Sequence, residues 1–79
     1  MDKLDIIEYY KEMIAFYTHQ YDWYTNQIVR CSNLIKSETY DFGLSLDGVS
    51  YKKRRNRYYY HRKKCKVNIE KYVSLLANL

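Results

Sequence analysis

Residues 7–35 read IEYYKEMIAFYTHQYDWYTNQIVRCSNLI, and the spacing of their apolar and aromatic side chains decides the predicted fold. These side chains recur in steps of three and four without a miss, which is the heptad pattern of a coiled-coil helix. We call these contact positions the first seam: Ile7, Tyr10, Ile14, Tyr17, Tyr21, Tyr24, Ile28, Cys31 and Ile35. The pattern predicts one helix over residues 2–36, with Asp2 or Asp5 as its N-cap.

The same alternation returns near the C-terminus and predicts a second helix over residues 51–78. Its contact positions form the second seam: Tyr51, Arg55, Tyr58, Arg62, Cys65, Ile69, Tyr72, Leu76 and Leu79. Pairing residue 7 with 79, 21 with 65 and 35 with 51 places a heptad a position against a d position in every layer, as antiparallel packing requires. The predicted fold is therefore all-α: an antiparallel helical hairpin of two long, coiled-coil-like helices.

Residues 37–50, SETYDFGLSLDGVS, form the predicted connection and hold both glycines of the chain. Asp47-Gly48 is a turn signal, and Asp47 or Ser50 could cap the second helix. A short β-hairpin across residues 39–51 stays open as an alternative for this segment. A chain of 79 residues has room for one small domain, so residues 1–79 are predicted to form a single domain.

Two features of the seams carry further predictions. Cys31 and Cys65 would lie about ten residues apart along the hairpin, roughly 15 Å at the helical rise, so they are predicted to be free thiols in the core. An arginine in a seam is costly unless its head reaches water or a partner, and we expect Arg62 to stack on Tyr24. Since Arg55 and Arg62 both lie nearer the connection, the hairpin is expected to pack better towards its termini.

A second apolar stripe runs along the first helix. Tyr9, Phe16 and Trp23 recur every seven residues, and Ile6 and Met13 flank them on the side of the first seam. One partner helix does not need so wide an apolar arc. We therefore predict that another chain covers Ile6, Tyr9, Met13, Phe16 and Trp23. The predicted partner is a second copy of this chain, which would complete a dimeric helical bundle. The alternative is a broad contact within the core, or aromatic side chains left exposed.

Positive charge is concentrated in residues 51–66, YKKRRNRYYYHRKKCK, which hold nine Lys or Arg and no acid. Residues 51–79 sum to +9, because ten basic residues face Glu70 alone, whereas residues 1–38 and 39–50 each sum to −2. A helix that is charged on every side differs from an interfacial membrane helix, which has an apolar face. The pattern predicts binding of a polyanion, either nucleic acid or an acidic protein surface.

The predicted binding residues all belong to the second helix. They are Lys52, Lys53, Arg54, Arg57, Tyr59, Tyr60, His61, Lys63, Lys64 and Lys66. Tyr59 and Tyr60 could stack on unpaired bases or bond a phosphate, as single-stranded DNA and RNA allow. The alternative for these two tyrosines is ordinary packing against a second pair of helices.

Catalytic patterns are missing from the sequence. There is no Gly-rich phosphate loop, no HExxH and no nucleophile with a base nearby, and His19 and His61 stand apart from any zinc-type cysteine spacing. We therefore predict a protein that is not an enzyme, with no cofactor and no metal. Without a long apolar run or a secretory leader, membrane association is not expected, and the predicted location is the cytoplasm.

The small size, the composition rich in Lys, Ile, Tyr and Asn, and the absence of proline resemble the small early-gene proteins of phages and mobile elements. The heptad-rich hairpin is also similar to the helical portion of some phage transcription regulators. These resemblances imply a role in regulating or blocking host machinery in the host cytoplasm, including inhibition of the anti-CRISPR type.

Three functions follow from these observations. The leading one is a non-enzymatic protein that binds DNA or RNA through its basic second helix. The alternative is a phage-type inhibitor or adaptor that places this helix on an acidic host protein, or on the RNA of a ribonucleoprotein. The third is a structural assembly module.

Overall fold

The computed structural model describes residues 2–37 and 50–79 and shows an antiparallel pair of α-helices, α1 (Lys3–Ser37) and α2 (Tyr51–Ala77). The predicted boundaries, 2–36 and 51–78, differ from these by one residue at three of the four helix ends. Residues 38–49, which make up most of the predicted connection (37–50) and of the alternative β-hairpin (39–51), lie outside the described residues. The all-α helical hairpin is confirmed.

Capping groups explain where the helices begin. The amide of Ile6 donates to the carbonyl of Asp2 at 3.1 Å, so α1 starts at Lys3 and the cap position is Asp2. The prediction of Asp5 as an alternative cap is wrong, because Asp5 lies inside the first turn, where its charge suits the helix dipole. For α2 the cap is Ser50, whose Oγ accepts from the amide of Lys53 at 3.2 Å.

The two helices form a rod of 58 × 17 × 16 Å. Three side-chain hydrogen bonds between them report the pairing: Arg55 with Ser32, Arg62 with Thr25, and Cys65 with Gln20. In each case the partner on α1 is next to the residue that the seam pairing predicts. At the terminal end, the Tyr72 ring contacts Tyr10 and stacks on Tyr17, on either side of its predicted partner at position 14.

The tightest part of the core lies in the middle of the rod and towards the connection. Ile28 is 5% exposed, and Cys31 and Cys65 are each 4% exposed; both thiols are free, as predicted. The expectation of better packing at the termini is wrong, since Leu79 is exposed and Ile7 and Leu76 are only half-buried. The terminal layers have a neighbouring layer on one side only, so their side chains stay more open to solvent than those in the middle of the rod.

Candidate functional site

The basic residues of α2 line its outer side. We define the basic surface as the six exposed cations of this helix between positions 52 and 66: Lys52, Lys53, Arg57, Lys63, Lys64 and Lys66. Of the other predicted cationic groups, Arg54 and His61 are half-buried. Glu70 is the single acid in residues 51–79, so this helix does not neutralise the surface itself. The result is a strong, local positive potential.

Tyr59 and Tyr60 project from α2 beside this surface, and both rings are exposed, at 43% and 56%. The Lys64 Nζ lies 4.8 Å from the centre of the Tyr60 ring, and the Arg62 guanidinium carbon lies 5.2 Å from that of Tyr59. Both are cation–π distances. Tyr58, by contrast, turns into the hairpin and packs on Trp23 and Tyr24, as its seam position predicts.

Arg62 lies in the seam, and its guanidinium group is hydrogen-bonded there. Its Nη1 donates to Thr25 Oγ1 at 3.2 Å, and Thr25 Oγ1 in turn donates to the Tyr21 carbonyl at 3.0 Å. The guanidinium lies over Tyr21 at 5.4 Å. The predicted stacking of Arg62 on Tyr24 is therefore wrong, because His61 occupies the face of Tyr24 instead.

His61 bridges the core and the outer surface. Its ring stacks on Tyr24 with centroids 5.5 Å apart and an angle of 19°, and it meets Tyr60 edge-on at 5.5 Å. The prediction placed His61 at the flank of the outer surface. The structure brings it partly inside, where it supports the Tyr60 ring from the hairpin side.

Arg55, the other seam arginine, is less well satisfied. Its Nη1 reaches Ser32 Oγ at 3.5 Å, a long hydrogen bond, and its buried Nε has no partner among the residues that the structure describes. A buried donor without a partner costs free energy. Arg55 is therefore a weak point in the hairpin rather than a part of the exposed surface.

Two open grooves flank the exposed tyrosines. One, of about 520 Å³, lies beside Tyr60 and is lined by Lys63, Lys64, Val67 and Asn68. The other, of about 320 Å³, lies beside Tyr59 and is lined by Tyr21, Arg62, Lys63 and Lys66. Val67 and Asn68 were not predicted as site residues, and Tyr21 and Arg62 were predicted as seam residues only. The seven-residue spacing from Tyr60 to Val67, which puts both on one helix face, could have identified Val67.

The second stripe lies on α1. Tyr9, Phe16 and Trp23 are about half exposed, whereas Ile6 and Met13 are partly covered within the hairpin. Each exposed ring leans on a seam neighbour: Tyr9 on Tyr10, Phe16 on Tyr17 and Trp23 on Tyr24. Tyr9 also contacts Tyr72 and Trp23 contacts Tyr58, both on α2, so part of the stripe packs within the hairpin.

Two groups have perturbed acidity. Hydrogen bonding to the Tyr72 side chain raises the pKa of Tyr9, and the charge of Lys71 opposes that change. Burial raises the pKa of the Cys65 thiol, which donates to Gln20 Oε1 at 3.7 Å. A raised pKa keeps more of the thiol protonated and lowers the fraction of reactive thiolate.

Within residues 2–37 and 50–79, no three or more His, Cys, Asp or Glu side chains come together in a group that could hold a metal ion. Neither α1 nor α2 is long and apolar enough to cross a membrane. Searches against protein-family models, curated proteins and solved structures gave no match to this chain. The resemblance to phage and mobile-element proteins therefore stays a prediction.

Proposed function

We propose that this chain is a non-enzymatic nucleic-acid-binding protein and that α2 carries the binding surface. The observation that supports this most strongly is the basic surface itself: six exposed cations on one helix, with Glu70 as the only acid in residues 51–79. A surface meant only for solubility mixes charges of both signs. A phosphate backbone is the polyanion that such an uncompensated surface fits.

The length and rigidity of α2 suit this role. At the helical rise, residues 52–66 span about 21 Å, enough to contact several successive phosphates. Because the lysines and Arg57 are exposed, they can meet phosphate without the cost of exposing a buried group. Releasing condensed counterions from the nucleic acid would supply much of the binding free energy.

The test compares two charge reversals that are equal in size. One variant combines Arg57→Glu, Lys63→Glu, Lys64→Glu and Lys66→Glu on α2. The matched control combines Lys3→Glu, Lys11→Glu, Arg30→Glu and Lys36→Glu, which are exposed positions on α1. Each set takes the formal charge from +5 to −3, since every reversal removes two charges.

Binding of labelled DNA and RNA is then measured at low salt by fluorescence anisotropy, with helicity checked by circular dichroism. We expect the α2 variant to lose binding and the α1 control to keep most of it, both remaining helical. Equal losses in the two variants would mean that net charge, rather than the basic surface, drives binding. Unchanged binding in the α2 variant would contradict the proposal outright.

We also propose that the protein acts as a homodimer joined through Tyr9, Phe16 and Trp23, with Ile6 and Met13 beside them. The half-exposed rings of this stripe support the idea, since apolar patches of this kind mark interaction sites. A dimer would present two basic surfaces to one nucleic acid and gain affinity through multivalency.

The same stripe favours a second candidate function, an inhibitor or adaptor that binds a protein. Exposed Tyr and Trp beside cationic residues are typical of protein interfaces. Here α2 would dock on an acidic host protein, or on the RNA of a ribonucleoprotein, as expected of an anti-CRISPR-type inhibitor of phage origin that acts in a host cytoplasm. Purification from cells discriminates the two: the leading proposal expects nucleic acid to co-purify, and the second expects one host protein.

A further inference from the structure

Tyr59 and Tyr60 share an arrangement that the charge of α2 alone does not explain. Both rings are exposed, and each has a cation from the next turn of the same helix lying against it. In the part of the chain that the structure describes, the ring contacts of Tyr60 are with His61 and Lys64, both on α2. Tyr59 contacts Arg62, whose guanidinium also lies over Tyr21 of α1, so Tyr59 adjoins the seam.

We propose that Tyr59 and Tyr60 are stacking platforms for unpaired bases, so that the ligand of the basic surface is single-stranded nucleic acid. This inference rests on the proposed function and narrows it. An exposed aromatic ring next to a cation is the pairing that single-strand binders use, with the ring taking the base and the cation taking the phosphate.

The geometry around each ring fits one nucleotide per site. Tyr60 borders the groove lined by Lys63, Lys64, Val67 and Asn68, and Tyr59 borders the groove lined by Tyr21, Arg62, Lys63 and Lys66. Lys63 borders both grooves. A strand with one base on each tyrosine would therefore carry its linking phosphate past Lys63, which is exposed and free to meet it.

A duplex does not fit the two rings equally well. In double-stranded DNA each base face is covered by the neighbouring base pairs, so only base edges and the backbone are accessible. Consecutive residues of a helix also project about 100° apart, at 3.6 residues per turn, so Tyr59 and Tyr60 face different directions. A flexible strand can turn from one ring to the other, whereas a straight duplex cannot.

Lys64 does not block this use of Tyr60. Cation–π contacts at exposed sites are weak, and a base can replace Lys64 on the face of Tyr60 while the ammonium group moves to the phosphate. His61 remains behind Tyr60, held by its stacking on Tyr24, and keeps the ring in place.

Arg62, which Thr25 holds in the seam, stays against Tyr59. Lys63 and Lys66 of the same groove are the cations that meet the phosphate there.

The experiment measures the affinity of the full chain for a labelled oligothymidine and for a labelled duplex of the same strand length, at one salt concentration. The variants are Tyr59→Ala and Tyr60→Ala, and the matched controls are Tyr59→Phe and Tyr60→Phe. Alanine removes the stacking face, whereas phenylalanine keeps it and removes only the hydroxyl. Both positions are exposed on α2, so circular dichroism should stay unchanged in all four variants.

We expect the single strand to bind more tightly than the duplex. Each alanine variant should lose roughly 5- to 150-fold in affinity for the single strand, the range for one stacked base, and change little towards the duplex. The phenylalanine variants should keep the affinity of the original chain. Equal binding of both ligands with unaffected alanine variants would overturn this inference and leave nucleic-acid binding through the basic surface intact. Binding to neither ligand would overturn both.

Discussion

Replacing Ile28 by alanine tests the position of the core. Ile28 is 5% exposed, and its neighbour Val29, on the outer side of α1, is 53% exposed. The matched control is therefore Val29→Ala. It shortens a branched apolar side chain that is one residue away from Ile28 and lies on the solvent-exposed side of α1. If the core is where the structure places it, Ile28→Ala should destabilise the protein and Val29→Ala should leave its stability nearly unchanged.

The expected magnitude follows from burial. Ile→Ala deletes three carbon atoms, worth about 2.4 kcal/mol at roughly 0.8 kcal/mol per buried methylene, and the cavity adds to this. A domain of this length has a total unfolding free energy of about 4–12 kcal/mol. The loss should therefore lower the melting temperature by roughly 10–20 °C. Val29→Ala should change stability by less than about 0.5 kcal/mol, helped by the better helix propensity of alanine.

Urea and thermal unfolding followed by circular dichroism measure both variants. The melts are repeated at two protein concentrations, because association would make the midpoint depend on concentration. A small effect of Ile28→Ala, or an equal effect of Val29→Ala, would refute the assignment of the core to this part of the rod.

Three further predictions use other parts of the hairpin. Trp23→Glu should convert a dimer to a monomer in sedimentation; identical masses for the two proteins would remove the dimer proposal. Arg55→Leu should raise the unfolding free energy by about 1–2 kcal/mol, because it removes a buried donor without a partner; a lower urea midpoint would show that Arg55 stabilises the fold. Burial raises the pKa of Cys65 above its usual value of 9.0. The buried neutral thiol should therefore contribute stability that is complete below pH 9.0 and is lost as the pH rises through the folded-state pKa. The unfolding free energy of Cys65→Ala should therefore decline less at alkaline pH than that of the original chain. The same pH profile for both proteins would contradict this prediction.

The helices and their pairing could be predicted because the heptad spacing leaves little freedom. Once Ile7 to Ile35 form one face, a second seam of the same length can match it only in one antiparallel alignment. The spacing also identified Tyr58 as a seam residue and the lysines of α2 as outward. Periodicity assigns a residue to a face, and the face is what these predictions needed.

Packing within the seam could not be predicted in the same way. The heptad pattern places a side chain in a layer but does not say how a large ring fills it. Arg62 was expected on Tyr24, yet it bonds Thr25 and leaves the Tyr24 face to His61. The choice depends on which group satisfies the guanidinium. Thr25, one position from the predicted partner, offers a hydroxyl that accepts a hydrogen bond from Arg62.

The site was predicted in part. Six of the exposed cations follow from charge and helical spacing, whereas the partial burial of Arg54 and His61 does not. The grooves beside Tyr59 and Tyr60 could be found only from the structure, because they depend on uncharged side chains such as Val67, Asn68 and Tyr21.

The salt dependence of nucleic-acid affinity tests the central proposal most directly. If all six cations of the basic surface contact phosphates of a single strand, log affinity should fall linearly with log salt with a slope of about −4. Between about 50 and 200 mM salt, that slope weakens binding roughly 300-fold. A steep linear slope is the predicted result. No binding at low salt, or binding that hardly changes with salt, would contradict the assignment of α2 as a surface for nucleic acid.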